Sequence, residues 1–181
     1  IAEKIKFFYV DTGAMFRCLA LNWDKQGCPE NEDSLKILGD QTKIILENEK
    51  VICNGTDVTH LIRTELISKQ ASRISCFPII REVMKNQQRE MVKKVRDSKN
   101  FQGAVLEGRD IGTVVFPRAE FKFYLEASPE VRAKRRMLQM SDLGENSDFK
   151  EILGALANRD FQDQNRKIAP LKPAEDATII N

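Results

Sequence analysis

Histidine and paired cysteines are scarce in this sequence. His60 is the only histidine, and the four cysteines are scattered without a CxxC pair. This scarcity argues against a zinc site and leaves no candidate other than His60 for a Ser–His–Asp arrangement. In "DVTHLI" that histidine is most simply a surface or half-buried residue. Isolated cysteines are typical of small core residues in a reducing compartment, so we expect a cytoplasmic protein.

Long apolar runs and an excess of charge of either sign are also missing. No apolar stretch approaches the roughly 18 residues that span a membrane. The 29 basic and 27 acidic residues give a net charge of +2, which does not indicate a nucleic-acid or membrane-surface partner. The chain has 181 residues, 41% of them hydrophobic. This is enough for one domain with a true core and an inserted subdomain. We expect a monomer with small-molecule substrates.

Short apolar segments alternate with helical patterns along the chain. Residues 7–10, 103–108 and 121–127 read as buried strands, and a last short strand is expected at 177–180. Strands that alternate with helices predict an α/β fold with a mostly parallel sheet. The segment "KIILENEKVICNGTDV" alternates, turns at "ENEK" and alternates again, which predicts a β-hairpin near 44–55 as an insertion.

Three charged side chains share one face of the predicted helix in "NRDFQDQNR". Arg159, Asp163 and Arg166 stand at i, i+4 and i+7, so they project together. The commoner explanation is an exposed salt-bridge ladder, worth only about 0.3–0.5 kcal/mol per pair. An anion site is the alternative, and spacing alone favours the ladder.

A second arginine cluster lies on the helix predicted to begin at Ser128. Arg132, Arg135 and Arg136 stand at i, i+3 and i+4, where like charges repel each other unless an anion binds between them. This spacing favours an anion site slightly over a solvated face.

Two further motifs follow predicted strands. In "DTGAMFR" a strand-to-helix junction with Arg17 one turn inside suits a phosphate, although Asp-Thr-Gly also makes an ordinary capped turn. Arg109 and Asp110 follow the strand at 103–106, where ligands collect in open α/β sheets. A structural ion pair is the alternative there. Together with the arginine clusters, these motifs predict a site for a phosphorylated ligand.

The order and spacing of five motifs closely resemble bacterial cytidylate kinases. The motifs are "YVDTGAMFR" (9–17), "FPIIREVMKNQQR" (77–89), "LEGRDIGTVVFP" (106–117), "RAKRRMLQ" (132–139) and "NRDFQDQNRKIAPLKPAEDA" (158–177). The resemblance covers nearly the whole chain. It implies phosphoryl transfer from ATP to CMP or dCMP in pyrimidine nucleotide metabolism, with Mg²⁺ bridging the ATP phosphates.

The resemblance also implies an organisation in three parts. It is a P-loop kinase fold, with a parallel sheet core flanked by helices, an inserted small antiparallel β unit and a mobile lid. The core would comprise residues 1–38, 74–132 and 149–181. The insertion that binds the monophosphate would cover 39–73, and the lid would cover 133–148.

Roles for individual side chains follow from the matched motifs. The residues that the resemblance assigns to CMP are Thr12, Arg17, Ser72, Arg81, Arg109, Asp110, Arg159, Asp163 and Arg166. Those that it assigns to the transfer itself are Arg109, Arg132, Arg135 and Arg136. Cytosine carries an amino donor where uracil carries an acceptor, so a carboxylate such as Asp110 suits cytosine.

Two features depart from the family pattern. Glu107 stands where members commonly carry aspartate, and the glycine-rich phosphate loop that holds ATP is expected directly before Ile1. A final helix is likewise expected after Asn181. Two other functions stay open: a non-catalytic pyrimidine nucleotide-binding module, and a kinase of the UMP/CMP type.

Overall fold

The computed structural model describes residues 1–47, 50–142 and 148–181. It divides into two compact units, Ile1–Gly108 and Arg109–Asn181. None of the helices in the described ranges is both long and apolar enough to cross a membrane.

The first unit combines one parallel strand pair, one antiparallel sheet and four α-helices. Its elements are β1 (Phe8–Asp11), α1 (Thr12–Lys25), α2 (Glu32–Gln41), β2 (Ile44–Glu47), β3 (Lys50–Cys53), β4 (Thr56–Asp57), α3 (Glu65–Ile74), α4 (Pro78–Ser98) and β5 (Ala104–Glu107), with short 3-10 turns at Glu3–Ile5 and Leu61–Arg63. Strands β1 and β5 pair in parallel, while β2, β3 and β4 form the antiparallel sheet. The predicted parallel strands and the inserted hairpin are therefore confirmed. The predicted burial of these strands is not, since among the residues of β1 and β5 only Val10 is buried.

Most helices begin where a short polar side chain can satisfy free backbone amides. Asp11, Asn31, Thr64 and Asp148 each accept a hydrogen bond from a backbone N–H two or three residues further on. These caps fix the start of α1, α2, α3 and the last helix of the chain. Helix α4 instead begins with Pro78 at its first position, where the missing N–H costs nothing.

The core of the first unit is built around α1. Met15, Leu19 and Trp23 are fully buried on this helix, and Ile80 and Met84 of α4 belong to the same apolar cluster. Burial of each such side chain contributes roughly 1.5–3 kcal/mol. Val10 of β1 belongs to the same cluster and Leu106 of β5 packs against it, so this core anchors both strands.

Helices α2 and α4 approach each other closely at a glycine. A Cβ atom added at Gly39 would lie 2.9 Å from Cγ1 of Val83, which is shorter than a normal carbon–carbon contact. The absence of a side chain at Gly39 therefore sets the distance between the two helices.

The second unit contains a second parallel strand pair and two long helices. Its elements are β6 (Phe123–Leu125), α5 (Pro129–Asp142), α6 (Phe149–Asn165) and β7 (Thr178–Ile180), preceded by a π-helical turn at Ile111–Val115. Strands β6 and β7 pair in parallel. The predicted strand within 121–127 is confirmed, but its burial is not, since Phe123 and Leu125 are 62% and 75% exposed.

Two predicted features extend beyond the described residues. The turn at "ENEK" includes residues 48–49, and the lid predicted over 133–148 includes residues 143–147. Both pairs of flanking elements are described: β2 and β3 around the turn, and α5 and α6 around the lid. The predicted boundaries of core, insertion and lid stay predictions.

Candidate functional site

In the first unit, the Arg17 guanidinium lies beside the N-terminus of α1, where β1 joins this helix. Asp11 caps α1 by accepting the Ala14 N–H at 2.7 Å and also accepts a hydrogen bond from Nη2 of Arg17 at 3.1 Å. A Cβ at Gly13 would lie 3.1 Å from Nη1 of Arg17, so the glycine leaves room for the guanidinium. Helix amides and an arginine together attract an anion.

The carboxyl end of β5 is tied to β1 and α1 through Glu107. The Thr12 hydroxyl donates to the Glu107 backbone carbonyl at 2.5 Å, and the Tyr9 hydroxyl donates to Oε2 of Glu107 at 2.6 Å. Burial raises the pKa of Tyr9 above its usual value, and the hydrogen bond to Glu107 and its negative charge raise it further. Tyr9 therefore keeps its proton and donates it in the hydrogen bond to the Glu107 carboxylate.

The Tyr9–Glu107 contact was not foreseen from the sequence, although one signal could have found it. In the parallel pair, Tyr9 lies opposite Val105, and Asp11 lies opposite Glu107. Because side chains alternate between faces, Tyr9 and Glu107 share a face as diagonal neighbours. The signal becomes readable only once the register of the two strands is known.

Arg81 is buried beside α1. Its guanidinium carbon lies 5.7 Å from the centroid of the Phe16 ring, and Nη1 donates to the Ser75 carbonyl at 3.2 Å. Ser72, near the end of α3, accepts a hydrogen bond from the Ser75 hydroxyl through its backbone carbonyl at 2.8 Å. The start of α4 and the end of α3 are thereby linked, and Ser72 and Arg81, two of the residues that the resemblance assigns to CMP, belong to this link.

In the second unit, Asp163 gathers three arginines. Its Oδ2 accepts a hydrogen bond from Nε of Arg109 at 3.2 Å and lies 4.0 Å from Nε of Arg159. Its Oδ1 accepts a hydrogen bond from Nη1 of Arg166 at 3.2 Å. The ion pairs expected of a salt-bridge ladder are therefore present, but their carboxylate is not solvated, since Asp163 is only 8% exposed. One carboxylate among three guanidiniums leaves an excess of positive charge that suits a phosphate.

Asp110 stands at the start of the π-helical turn. Its backbone carbonyl accepts hydrogen bonds from the amides of Val114 at 2.9 Å and Val115 at 3.2 Å. The Asp110 residue is buried. Such turns are rare and frequently occur at functional sites, and this one was not predicted from the apolar stretch "IGTVV".

The three arginines of α5 differ in their contacts. Arg132 pairs with Asp160 of α6 at 2.6 Å and donates from Nε to the Ala127 carbonyl at 3.1 Å. Arg135 and Arg136 make no ion pair or hydrogen bond within the described ranges. Asp160, which the sequence did not single out, therefore ties Arg132 to the neighbouring helix, whereas the other two guanidiniums remain available for a ligand.

Carboxylates do not cluster densely in the described parts of the chain. There, no three His, Cys, Asp or Glu residues are placed to hold a metal ion together. Asp11 and Glu107, which lie opposite each other in β1 and β5, are each hydrogen-bonded to the partners given above. These two carboxylates suit Mg²⁺ only if phosphate oxygens and water supply the other ligands.

Comparison with known proteins places these residues in a family context. The family model described as Cytidylate kinase matches residues 1–181. Over its full length the chain is 41% identical to the cytidylate kinase of Geobacter sulfurreducens and covers 77% of that protein. It is also 38% identical to the cytidylate kinase of Desulforamulus reducens, of which it covers 80%. The cytidylate kinase of Pasteurella multocida is 39% identical, with 79% covered.

Proposed function

The chain belongs to the cytidylate kinase family, and from this premise we propose how its residues transfer a phosphoryl group from ATP to CMP or dCMP. The products are ADP and CDP or dCDP. Phosphoryl transfer depends on positioning and charge neutralisation rather than on a protein nucleophile. The Asp163 cluster is the observation that carries this assignment, because one buried carboxylate holds three guanidiniums close together.

We propose that Arg109 and Arg159 bind the phosphate of CMP. Both side chains are 41% exposed while their inner nitrogens face Asp163. The carboxylate therefore holds each guanidinium in place and leaves part of its edge accessible to an anion. Arg166 is almost buried against Asp163 and the Ala169 carbonyl, so we assign it the role of supporting the other two. Asp163 itself is proposed to reach the sugar as well.

In the first unit we propose that Thr12 and Arg17 contact CMP at the N-terminus of α1. The free amides of the first helical turn and the Arg17 guanidinium favour negative charge there. Ser72 and Arg81 are proposed to donate hydrogen bonds to O2 and N3 of cytosine, which are both acceptors.

For base selection we propose Asp110. Its carboxylate accepts a hydrogen bond from the cytosine amino group and repels the oxygen that uracil carries at the same position. The π-helical turn fixes the Asp110 backbone, so the carboxylate cannot easily withdraw. An unpaired buried group costs about 1–3 kcal/mol, which corresponds to roughly 5- to 150-fold discrimination against UMP.

The donor side of the reaction draws on α5. We propose that Arg135 and Arg136, together with Arg132 and Arg109, neutralise charge on the transferring phosphoryl group. When bound with ATP, Mg²⁺ would supply further positive charge to the phosphates. We propose that the carboxylates of Asp11 and Glu107 would hold this ion, because Mg²⁺ prefers oxygen ligands. We further propose that the protein is monomeric and, in keeping with its four free cysteines, cytoplasmic.

The decisive experiment compares four acceptors in an assay of ADP release: CMP, dCMP, UMP and AMP. Turnover with CMP and dCMP, and little with UMP or AMP, is the expected result. Calorimetric binding of CMP without any turnover would instead favour the non-catalytic nucleotide-binding module. Equal rates with CMP and UMP would indicate the UMP/CMP type of kinase.

Asp110→Asn tests the base-selecting role within the same assay. We expect the ratio of kcat/KM for CMP to that for UMP to fall by about 5-fold or more. Glu175→Gln is the matched control, because Glu175 is an exposed carboxylate of the same unit. Selectivity unchanged by Asp110→Asn would remove Asp110 from the site without contradicting the kinase activity.

A further inference from the structure

Lys122, which directly precedes β6 in the second unit, has a charged side chain that is nearly buried. This side chain is only 7% exposed. Its Nζ donates to the Pro117 carbonyl at 2.6 Å and to both carboxylate oxygens of Asp176 at 2.7 Å. A lysine ammonium has three N–H donors, so each of them has an acceptor here. These contacts hold the end of the side chain in one place.

The stem of Lys122 packs against the π-helical turn at Ile111–Val115. A Cβ atom added at Gly112, inside this turn, would lie 3.2 Å from Cδ and 3.5 Å from Cγ of Lys122. Such distances are at or below normal carbon–carbon contact, so the glycine lets the turn lie directly on the lysine. Lys122 thus contacts the turn through its stem and holds Pro117, two residues after the turn, through its ammonium.

The same turn begins at Asp110. The Asp110 carbonyl accepts the Val115 amide at 3.2 Å, and the Ile111 carbonyl accepts the Phe116 amide at 2.7 Å. These bonds connect Asp110 to the far end of the turn, so the turn and its first residue move together. Any contact that fixes the turn therefore also fixes the backbone from which the Asp110 carboxylate extends.

We propose that Lys122 is a positioning residue for base selection, which fixes the π-helical turn against the β6–β7 sheet and so holds Asp110 in place. The backbone of Lys122 is itself anchored to that sheet, because its carbonyl accepts the Thr178 amide at 2.8 Å. Asp176 compensates a positive charge that is costly to bury alone. The inference rests on the proposed role of Asp110, and it assigns Lys122 no contact with a substrate.

Lys122→Met tests the proposal in the ADP-release assay. Methionine keeps an unbranched stem but cannot donate to the Pro117 carbonyl. The ratio of kcat/KM for CMP to that for UMP should fall by about 3-fold, because a hydrogen bond that holds the turn is lost while the Asp110 carboxylate is still present. The loss should appear in kcat/KM for CMP, whereas the value for UMP should stay constant or rise. A variant that is merely less stable would lose activity towards both nucleotides equally.

Asp176→Asn is the matched control. It removes the same ion pair as Lys122→Met, but it leaves the Lys122 ammonium free to donate to Pro117. We therefore expect an unchanged ratio of CMP to UMP in Asp176→Asn. Equal falls in the two variants would show that the ion pair acts only through stability, and would overturn the proposal.

A double variant shows whether Lys122 acts through Asp110. Adding Lys122→Met to Asp110→Asn should lower the ratio no further than Asp110→Asn does alone, because both changes remove the same contact. If Asp110→Asn lowers the ratio and Lys122→Met does not, this proposal fails while the role of Asp110 stands. If Asp110→Asn has no effect, both fail.

Amide hydrogen exchange measures the same contact without any nucleotide. The amides of Val114, Val115 and Phe116 should exchange faster in Lys122→Met than in wild type or Asp176→Asn. Gly112→Ala is a second variant for the case that Lys122→Met does not fold, since the added methyl group meets the Lys122 stem. It should speed up the same exchange and lower the ratio. Unchanged exchange at these amides would overturn the proposal, whatever the kinetics show.

Discussion

Replacing Asp163 with asparagine should destabilise the second unit more than any surface substitution there. Asp163→Asn keeps the size of the side chain but removes the negative charge that faces three guanidiniums. The arginines would then repel one another without compensation. The buried Arg166 would suffer most, because little water reaches it.

The expected magnitude follows from how buried each pair is. The Arg166 and Asp163 side chains are 10% and 12% exposed, and removing one partner of a buried pair costs about 3–5 kcal/mol. Asparagine retains one acceptor oxygen, which reduces that cost. The pairs with Arg109 and Arg159 are more open to solvent and contribute about 0.2–1 kcal/mol each. We therefore expect a loss of about 2–4 kcal/mol.

Urea unfolding followed by far-UV circular dichroism measures this loss. The matched control is Glu175→Gln, which removes an exposed carboxylate of the same unit and should change stability by less than about 0.5 kcal/mol. If both variants unfold at the same urea concentration, Asp163 does not support the arginine cluster. The assignment of Arg166 as a supporting residue would then also fail.

Three further predictions concern binding, pH and packing. Arg159→Ala should weaken CMP binding by about 10-fold or more, because a charged hydrogen bond to the phosphate is lost. Binding of cytidine, which has no phosphate, should change little. Calorimetry that finds equal losses of affinity for CMP and cytidine would contradict the phosphate role. Hydrogen bonds from Lys122 lower the pKa of Asp176, so its stabilising contribution is complete above pH 4 or so and disappears as pH falls through the lowered pKa. The urea midpoints of wild type and Asp176→Asn should therefore differ near neutral pH and converge as the pH falls through the lowered pKa of Asp176. A difference that stays constant with pH would refute this. Gly39→Ala should lower stability by about 1–2 kcal/mol despite the better helix propensity of alanine, and Val83→Ala in the same chain should recover part of it. A Gly39→Ala variant as stable as wild type would mean that α2 and α4 can separate freely.

Local chemistry made several elements of this fold predictable. The alternation in "KIILENEKVIC" is a period-2 pattern that depends only on nearby residues, and β2 and β3 formed where it placed them. The start of α1 was predictable for a similar reason, because the side chain of Asp11 caps the helix without help from distant residues. Helical spacing likewise placed Arg159, Asp163 and Arg166 on one face.

Contacts between distant segments were beyond the reach of such patterns. Nothing in the spacing of "NRDFQDQNR" indicates that Arg109, 54 residues away, completes the cluster at Asp163. The pairing of Arg132 with Asp160 joins two helices, and the meeting of Cys18 with Cys53 requires the antiparallel sheet to fold back first. The burial of Asp163, which the spacing along the helix does not indicate, is likewise a tertiary property.

The hydrogen bonds that Tyr9 and Thr12 donate to Glu107 also fix the register of β1 against β5. Only four residue pairs join these strands, so backbone pairing by itself specifies their alignment weakly. A slip by one residue would turn Glu107 to the opposite face from the Tyr9 hydroxyl. It would also move the carbonyl away from the Thr12 hydroxyl that now donates to it. A misaligned pair would thus lose both contacts at once, so two side-chain hydrogen bonds select one alignment for a strand pair that is too short to select it through its backbone.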